Sequence, residues 1–106
     1  MAKQLTSKNF KGEVLDSKDP VMVDFFASWC GPCKMMSPIV DELSKEMEKV
    51  IKIFKVSIED EEDLASEYGV MSIPTFLFFK NGKVVDQAGG AMTKDALVKV
   101  IKKNIK

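Results

Sequence analysis

The chain has 106 residues, with 16 Lys+Arg balanced by 16 Asp+Glu, no His, two Cys and 45% hydrophobic residues. That length sits near the mode for one domain, and the composition is that of an ordinary globular chain rather than a disordered one. Zero net charge leaves no global field to draw the chain to nucleic acid or anionic lipid, and Asp24 interrupts the apolar stretch from Val21 before it could span a membrane.

The N-terminal segment Ala2-Lys3-Gln4-Leu5-Thr6-Ser7-Lys8 carries no apolar h-region, so a cytoplasmic location is expected. No repeat, low-complexity tract or Pro/Gly/Ser linker divides the chain, and residues 1–106 are read as one domain. Ser7 is placed as the cap of a short helix with Phe10, Val14 and Leu15 on one face. Residues 21–27 form a near-continuous apolar run, the pattern of a strand buried on both faces. After Trp29-Cys30-Gly31-Pro32-Cys33 the period changes: Met36, Ile39, Val40, Leu43, Met47 and Val50 recur at helical spacing. Pro32 suits the first turn of that helix, whereas Pro38 lies inside it and predicts a kink.

Residues 51–58 read as a second strand and 60–68 as a short helix, acidic in its first turn and stopped by Gly69. Asn81-Gly82 between Thr75-Phe76-Leu77-Phe78-Phe79-Lys80 and Val84-Val85-Asp86-Gln87 is a strong hairpin signal. Thr93 caps a last helix with Leu97, Val100, Ile101 and Ile105 along its buried stripe. The fold class is α/β, in the order β-α-β-α-β-α-β-β-α: a central mixed sheet, parallel first and closing in an antiparallel hairpin, flanked by helices. Two charge blocks, Glu59-Asp60-Glu61-Glu62-Asp63 and the lysines 99, 102, 103 and 106, are read as solvated helix ends rather than partner patches. Most of the seven Met residues are read as core filler.

The missing histidines exclude a Ser-His-Asp triad and a Cys-His pair, because no imidazole is available as base. Cys30 and Cys33 alone cannot supply the four soft ligands of a structural zinc or an iron–sulfur cluster. Lys34 stands where c-type haem attachment needs His. What remains is chemistry the two thiols do with each other. As a staple the pair is weak, since a four-residue loop contributes only ~2 kcal/mol against ~3 for fifteen residues. As a redox pair it is well placed: spacing of three puts both thiols on one helix face, and Cys30 falls at the helix N-terminus, where free N–H groups stabilise a thiolate. Cys33, one turn inside, is expected to be the more buried of the two.

Three segments carry a resemblance over essentially the whole chain: Asp24-Phe25-Phe26-Ala27-Ser28-Trp29-Cys30-Gly31-Pro32-Cys33-Lys34, then Ile73-Pro74-Thr75, then Lys80-Asn81-Gly82-Lys83 with Gly90-Ala91. On these the chain resembles the thioredoxin family. The resemblance implies the thioredoxin fold and the reduction of protein disulfides by dithiol exchange. Cys30 corresponds to the nucleophile and Cys33 to the resolving thiol. Pro74 matches the family's cis-proline, with the Ile73 backbone free to pair with a substrate peptide. Trp29, Gly31, Pro32, Ile73, Gly90 and Ala91 match the apolar substrate-binding surface. Asp24 matches a buried carboxylate behind Cys33, and Lys55 the lysine near it. Two departures are Phe26, where many relatives carry Trp, and Ser57-Ile58-Glu59-Asp60 in place of an Asp/Asn-rich segment.

The partners so implied are disulfide-containing proteins and a thioredoxin reductase as electron donor, with no nucleic acid, no membrane and a monomeric chain. No prosthetic group is expected, because electrons reside in the cysteine pair. A relative working as oxidant or isomerase in an oxidising compartment is disfavoured by Gly31-Pro32 and the absent leader. Plainer readings stand beside four residues. Asp24 could pair with Lys55 as a structural ion pair instead of serving Cys33 as a base with a raised pKa. Pro74 could be a trans-proline at a strand start, Trp29 plain core, and Gly90 a turn glycine.

Overall fold

The computed structural model describes residues 2–106. In chain order the elements are β1 (Lys3–Gln4), a π-helical turn (Lys11–Leu15), β2 (Val21–Phe26), α1 (Gly31–Glu46), β3 (Lys52–Ser57), α2 (Glu62–Glu67), β4 (Thr75–Lys80), β5 (Lys83–Gly89) and α3 (Lys94–Asn104). The sheet runs β1-β3-β2-β4-β5. β3 is parallel to both β1 and β2, whereas β4 is antiparallel to β2 and β5 to β4. β2 therefore occupies the centre, bonded on both edges, as its near-continuous apolar run requires.

Alternation along the strands divides the interior into two cores. Val21, Val23 and Phe25 of β2 pack with Phe54, Val56, Leu77 and Phe79, under Phe10, Val14, Leu64 and Ala65. On the other face Met22 packs with Ile53, Phe76 and Phe78 beneath Met36, Val40 and Leu43 of α1 and Leu97 and Ile101 of α3. Asp24 follows Met22 by two residues, so its side chain leaves the sheet on the α1 side. Lys55 does the same two residues after Ile53, and it is the register partner of Asp24 across the β2–β3 ladder.

Local chemistry sets most element ends. Thr93 Oγ1 accepts the Ala96 N–H at 3.1 Å and starts α3. Asn81 (φ 52°) and Gly82 (φ 77°) turn the β4–β5 hairpin in the left-handed region that a type I′ turn demands. Several expectations are corrected. Ser7 caps nothing; its N–H donates to Glu61, and Thr6 and Asn9 close the turn instead, with the Thr6 N–H on Asn9 Oδ1 at 2.8 Å. The helix after it is a single π-helical turn with Val14 buried. α1 contains Pro38, as expected, but it stops at Glu46, so Met47 only packs on the core edge and Val50 is exposed. Met22 and Met36 are core, Met47 and Met92 pack against it, but Met35 and Met71 stand in solvent. Among the described residues no helix is long and apolar enough to cross a membrane.

Candidate active site

β2 ends at Phe26 and the chain turns through residues 27–30 into α1, with the Cys30 N–H donating to the Ala27 carbonyl at 3.3 Å. Cys30 is the N-cap of α1, in extended backbone (φ −86°, ψ 115°), and its Sγ accepts the Cys33 N–H at 3.2 Å. A sulfur thus takes the place that a Ser or Asp oxygen fills at other helix starts. Pro32 sits in the first turn, where its missing N–H has no partner to lose. Cys30 and Cys33 are joined as a disulfide, with Cα atoms 5.2 Å apart.

Both cysteines are 5% exposed, packed with Ala27 against Phe26, Ile58 and Ile73. The expected difference in burial between them is absent, because the cap folds the Cys30 sulfur back over the first turn. Their inequivalence lies in position: Cys30 receives an N–H at the helix start, and Cys33 lies one turn inside.

Three chain segments converge on this turn. The Ile73 carbonyl oxygen lies 3.8 Å from Cys30 Sγ. The Ile73–Pro74 peptide bond is cis, so Pro74 is not the trans strand-start proline of the plainer reading. The Pro74 carbonyl accepts the Gly90 N–H at 2.9 Å, which brings Gly90 and Ala91 to the same end of the sheet. Gly90 has φ 85°, so its turn-glycine reading holds together with its place beside Pro74. Trp29 is 67% exposed, which overturns its reading as core. Gly31, Pro32, Gly90 and Ala91 are exposed with it, and Ile73 is half-buried.

Behind Cys33 a cavity of about 120 Å³ is lined by Asp24, Phe26, Cys33, Lys34, Ser37 and Lys55, among others. Asp24 is 2% exposed, and its Oδ1 has no hydrogen-bond partner. Burial pushes its carboxyl up to about 7, with Lys55 pulling it down and Asp41 pushing it further up. The Asp24–Lys55 ion pair of the plainer reading is not formed. The Lys55 ammonium donates instead to Ser37 Oγ at 2.9 Å, lies 3.7 Å from Asp41 Oδ1, and rests 5.3 Å from the centroid of the Phe26 ring.

The thioredoxin family model matches residues 1–103. Thioredoxin from Rickettsia felis is 49% identical over 105 residues, covering 99% of this chain and 100% of that protein. Thioredoxin 1 of a Nostoc species is 47% identical over 104 residues, 98% of this chain and 97% of its own. Thioredoxin from Pyropia yezoensis is 47% identical over 102 residues, 96% of this chain and 95% of its own. The chain belongs to the thioredoxin family.

Its mixed five-stranded sheet with three α-helices is the thioredoxin fold, and its Cys30–Cys33 pair is the redox-active centre of a protein-disulfide oxidoreductase. Three residues around that centre are not marked by the sequence motifs. Ser37 and Asp41 hold Lys55, and their four-residue spacing on α1 is the one signal that a single helix face carries both. Glu59 reads as a solvated acid, yet its Oε1 accepts the Ser28 N–H at 2.6 Å, tying β3's exit to the turn that bears Trp29. That bond holds the Glu59 carboxyl below its ordinary range.

Proposed function

We propose that residues 1–106 form one domain that reduces disulfides in other proteins, in the cytoplasm and as a monomer, with electrons supplied by a thioredoxin reductase. The observation that carries this reading is the Cys30–Cys33 pair at the start of α1, with the Cys33 N–H aimed at the Cys30 sulfur. A donor at that sulfur favours negative charge there, and the thiolate is the attacking species.

In the proposed cycle the Cys30 thiolate attacks one sulfur of a substrate disulfide. That bond breaks, the departing substrate sulfur takes a proton from solvent, and a mixed disulfide joins Cys30 to the substrate. Cys33 then gives its proton to Asp24, and its thiolate attacks the Cys30 sulfur. The mixed bond breaks, the second substrate sulfur leaves as a thiolate and takes, by way of solvent, the proton that Asp24 gives up, and the Cys30–Cys33 disulfide forms. Two electrons and two protons pass to the substrate, and the reductase returns two electrons to the pair. Asp24 suits the acceptor role because a base works best when its pKa lies near the working pH. Lys55 acts on Asp24 rather than on sulfur. Trp29, Gly31, Pro32, Gly90 and Ala91 form the surface on which the substrate segment rests, with the Ile73 backbone, next to Pro74, alongside it.

An insulin-type disulfide reduction assay tests the reading, with Cys30→Ser and Cys33→Ser beside the parent. The parent is expected to turn over with dithiothreitol or reductase as donor, and both variants to fall to background. Turnover that survives in either variant would remove the dithiol mechanism.

A further inference from the structure

Lys55 has two carboxylates within its neighbourhood and contacts only one. It shares a ladder rung with Asp24, and both side chains enter the same cavity behind Cys33. Yet its ammonium is held by α1, 2.9 Å from Ser37 Oγ and 3.7 Å from Asp41 Oδ1, with the Phe26 ring beneath it. Ser37 and Asp41 are four residues apart and so present a hydroxyl and a carboxylate from one helix face. Asp41 is itself anchored, since its Oδ1 also accepts the Ala2 N–H at 3.0 Å. Asp24 Oδ1 meanwhile has no hydrogen-bond partner.

We propose that Ser37 and Asp41 are positioning residues that hold the Lys55 ammonium off Asp24 and thereby set the pH range in which Asp24 accepts the Cys33 proton. This rests on the reading of Asp24 as that acceptor. An ammonium in contact with a buried carboxylate lowers its pKa by about 1–3 units. A carboxylate so paired stays ionised far below neutral pH and is a poor base for a thiol. Held on Ser37 and Asp41, the same ammonium acts on Asp24 from farther away, with the Asp41 anion opposing it.

Besides Lys55 and Asp41, the one charged group named around Asp24 is Lys34, which lines the same cavity but is exposed to solvent. From α1 come Cys33, Lys34, Ser37 and Asp41, and from β3 Lys55. The β4 rung partner is Phe76, and its neighbours on β2's own face are Met22 and Phe26. Burial therefore dominates, which agrees with the raised carboxyl, lowered by Lys55 and raised by Asp41. Ser37 is the cleaner probe, because its removal changes no charge, and Ala is a good helix former.

The test uses the full chain with Ser37→Ala, Asp41→Asn, Lys55→Met and Asp24→Asn. Carbon NMR of the Asp24 carboxyl across pH reads its protonation directly in the first three variants and the parent. The pH profile of disulfide exchange is recorded for all. Ser37→Ala is expected to lower the Asp24 midpoint by about half a unit and Asp41→Asn by about one, as the freed ammonium approaches. Lys55→Met is expected to raise it. The acid limb of the rate profile should move with each midpoint. An Asp24 midpoint unchanged in Ser37→Ala and Asp41→Asn, with urea midpoints showing both folded, overturns the positioning role. Midpoints that shift while Asp24→Asn keeps the parental rate profile overturn instead the acceptor reading on which the proposal stands.

Discussion

The backbone N–H of Cys33 donates to Sγ of Cys30 at 3.2 Å, so the amide of one cysteine of the redox pair caps the sulfur of the other. Cys30 lies at the helix start and Cys33 a turn inside, although both are equally buried. In the reduced protein Cys30 should therefore be alkylated well before Cys33 at neutral pH, as peptide mass spectrometry would show. Cys33→Ser should accumulate mixed disulfides with substrate, because attack succeeds and resolution fails. Trapping by Cys30→Ser in its place would reverse the two roles.

Trp29 is the single tryptophan and adjoins Cys30, with its ring largely in solvent. Its emission intensity should change when the disulfide is reduced, with little shift in wavelength, since solvent surrounds most of the ring. Thiol titration gives the extent of reduction in the same sample. Identical spectra in both states would contradict the placement of the indole beside the redox pair.

Gly82 brings the β4–β5 hairpin against the π-helical turn. A Cβ there would lie 2.5 Å from the Leu15 carbonyl oxygen, and φ is 77°. Gly82→Ala should therefore lower stability by about 2 kcal/mol, of which about 1–2 comes from the left-handed backbone alone. The urea midpoint should fall with an unchanged slope, and disulfide reduction by the folded protein should stay parental. A midpoint equal to the parent's would show that the hairpin can move off Leu15 at no cost.

The parts of this fold that can be read from sequence are those whose chemistry is local. The run before Asp24, the Asn81-Gly82 turn and the Thr93 cap each announce themselves within a few residues, and all three stand. Ser7 shows where that fails. It has the chemistry of a cap, but Thr6 and Asn9 close the turn in its place, and Ser7 is tied through its N–H to Glu61, 54 residues away. Glu59 likewise serves Ser28 from 31 residues away, so an acidic block that reads as solvated contains two structural acceptors. The same limit applies behind Cys33. The burial of Asp24 follows from its strand, but which carboxylate Lys55 takes depends on how α1 lies across β3, and no spacing in either segment encodes that.

Asp24 offers a test in which stability and rate respond to the same proton. Its carboxyl is pushed up to about 7 from an ordinary 3.8, first by burial. Between those pH values the native state holds a proton that the unfolded chain has lost. The associated stability is thus fully present below about pH 3.8 and is lost as pH rises through about 7. For a shift of that size the loss is on the order of 4 kcal/mol by pH 8. Asp24→Asn cannot lose a proton there, so its stability relative to the parent should rise from pH 4 to about pH 7 and level off above it. Any cost of burying the amide is the same at every pH and leaves that slope intact. The variant should also slow disulfide exchange at and below neutral pH, where Cys33 must give its proton to a neighbour. Above about pH 9 hydroxide removes the proton unaided, and the defect should shrink. Urea unfolding and exchange kinetics on one variant across this range measure both. Parallel stability curves together with a parental rate would take the proton from Asp24 and leave the dithiol chemistry untouched.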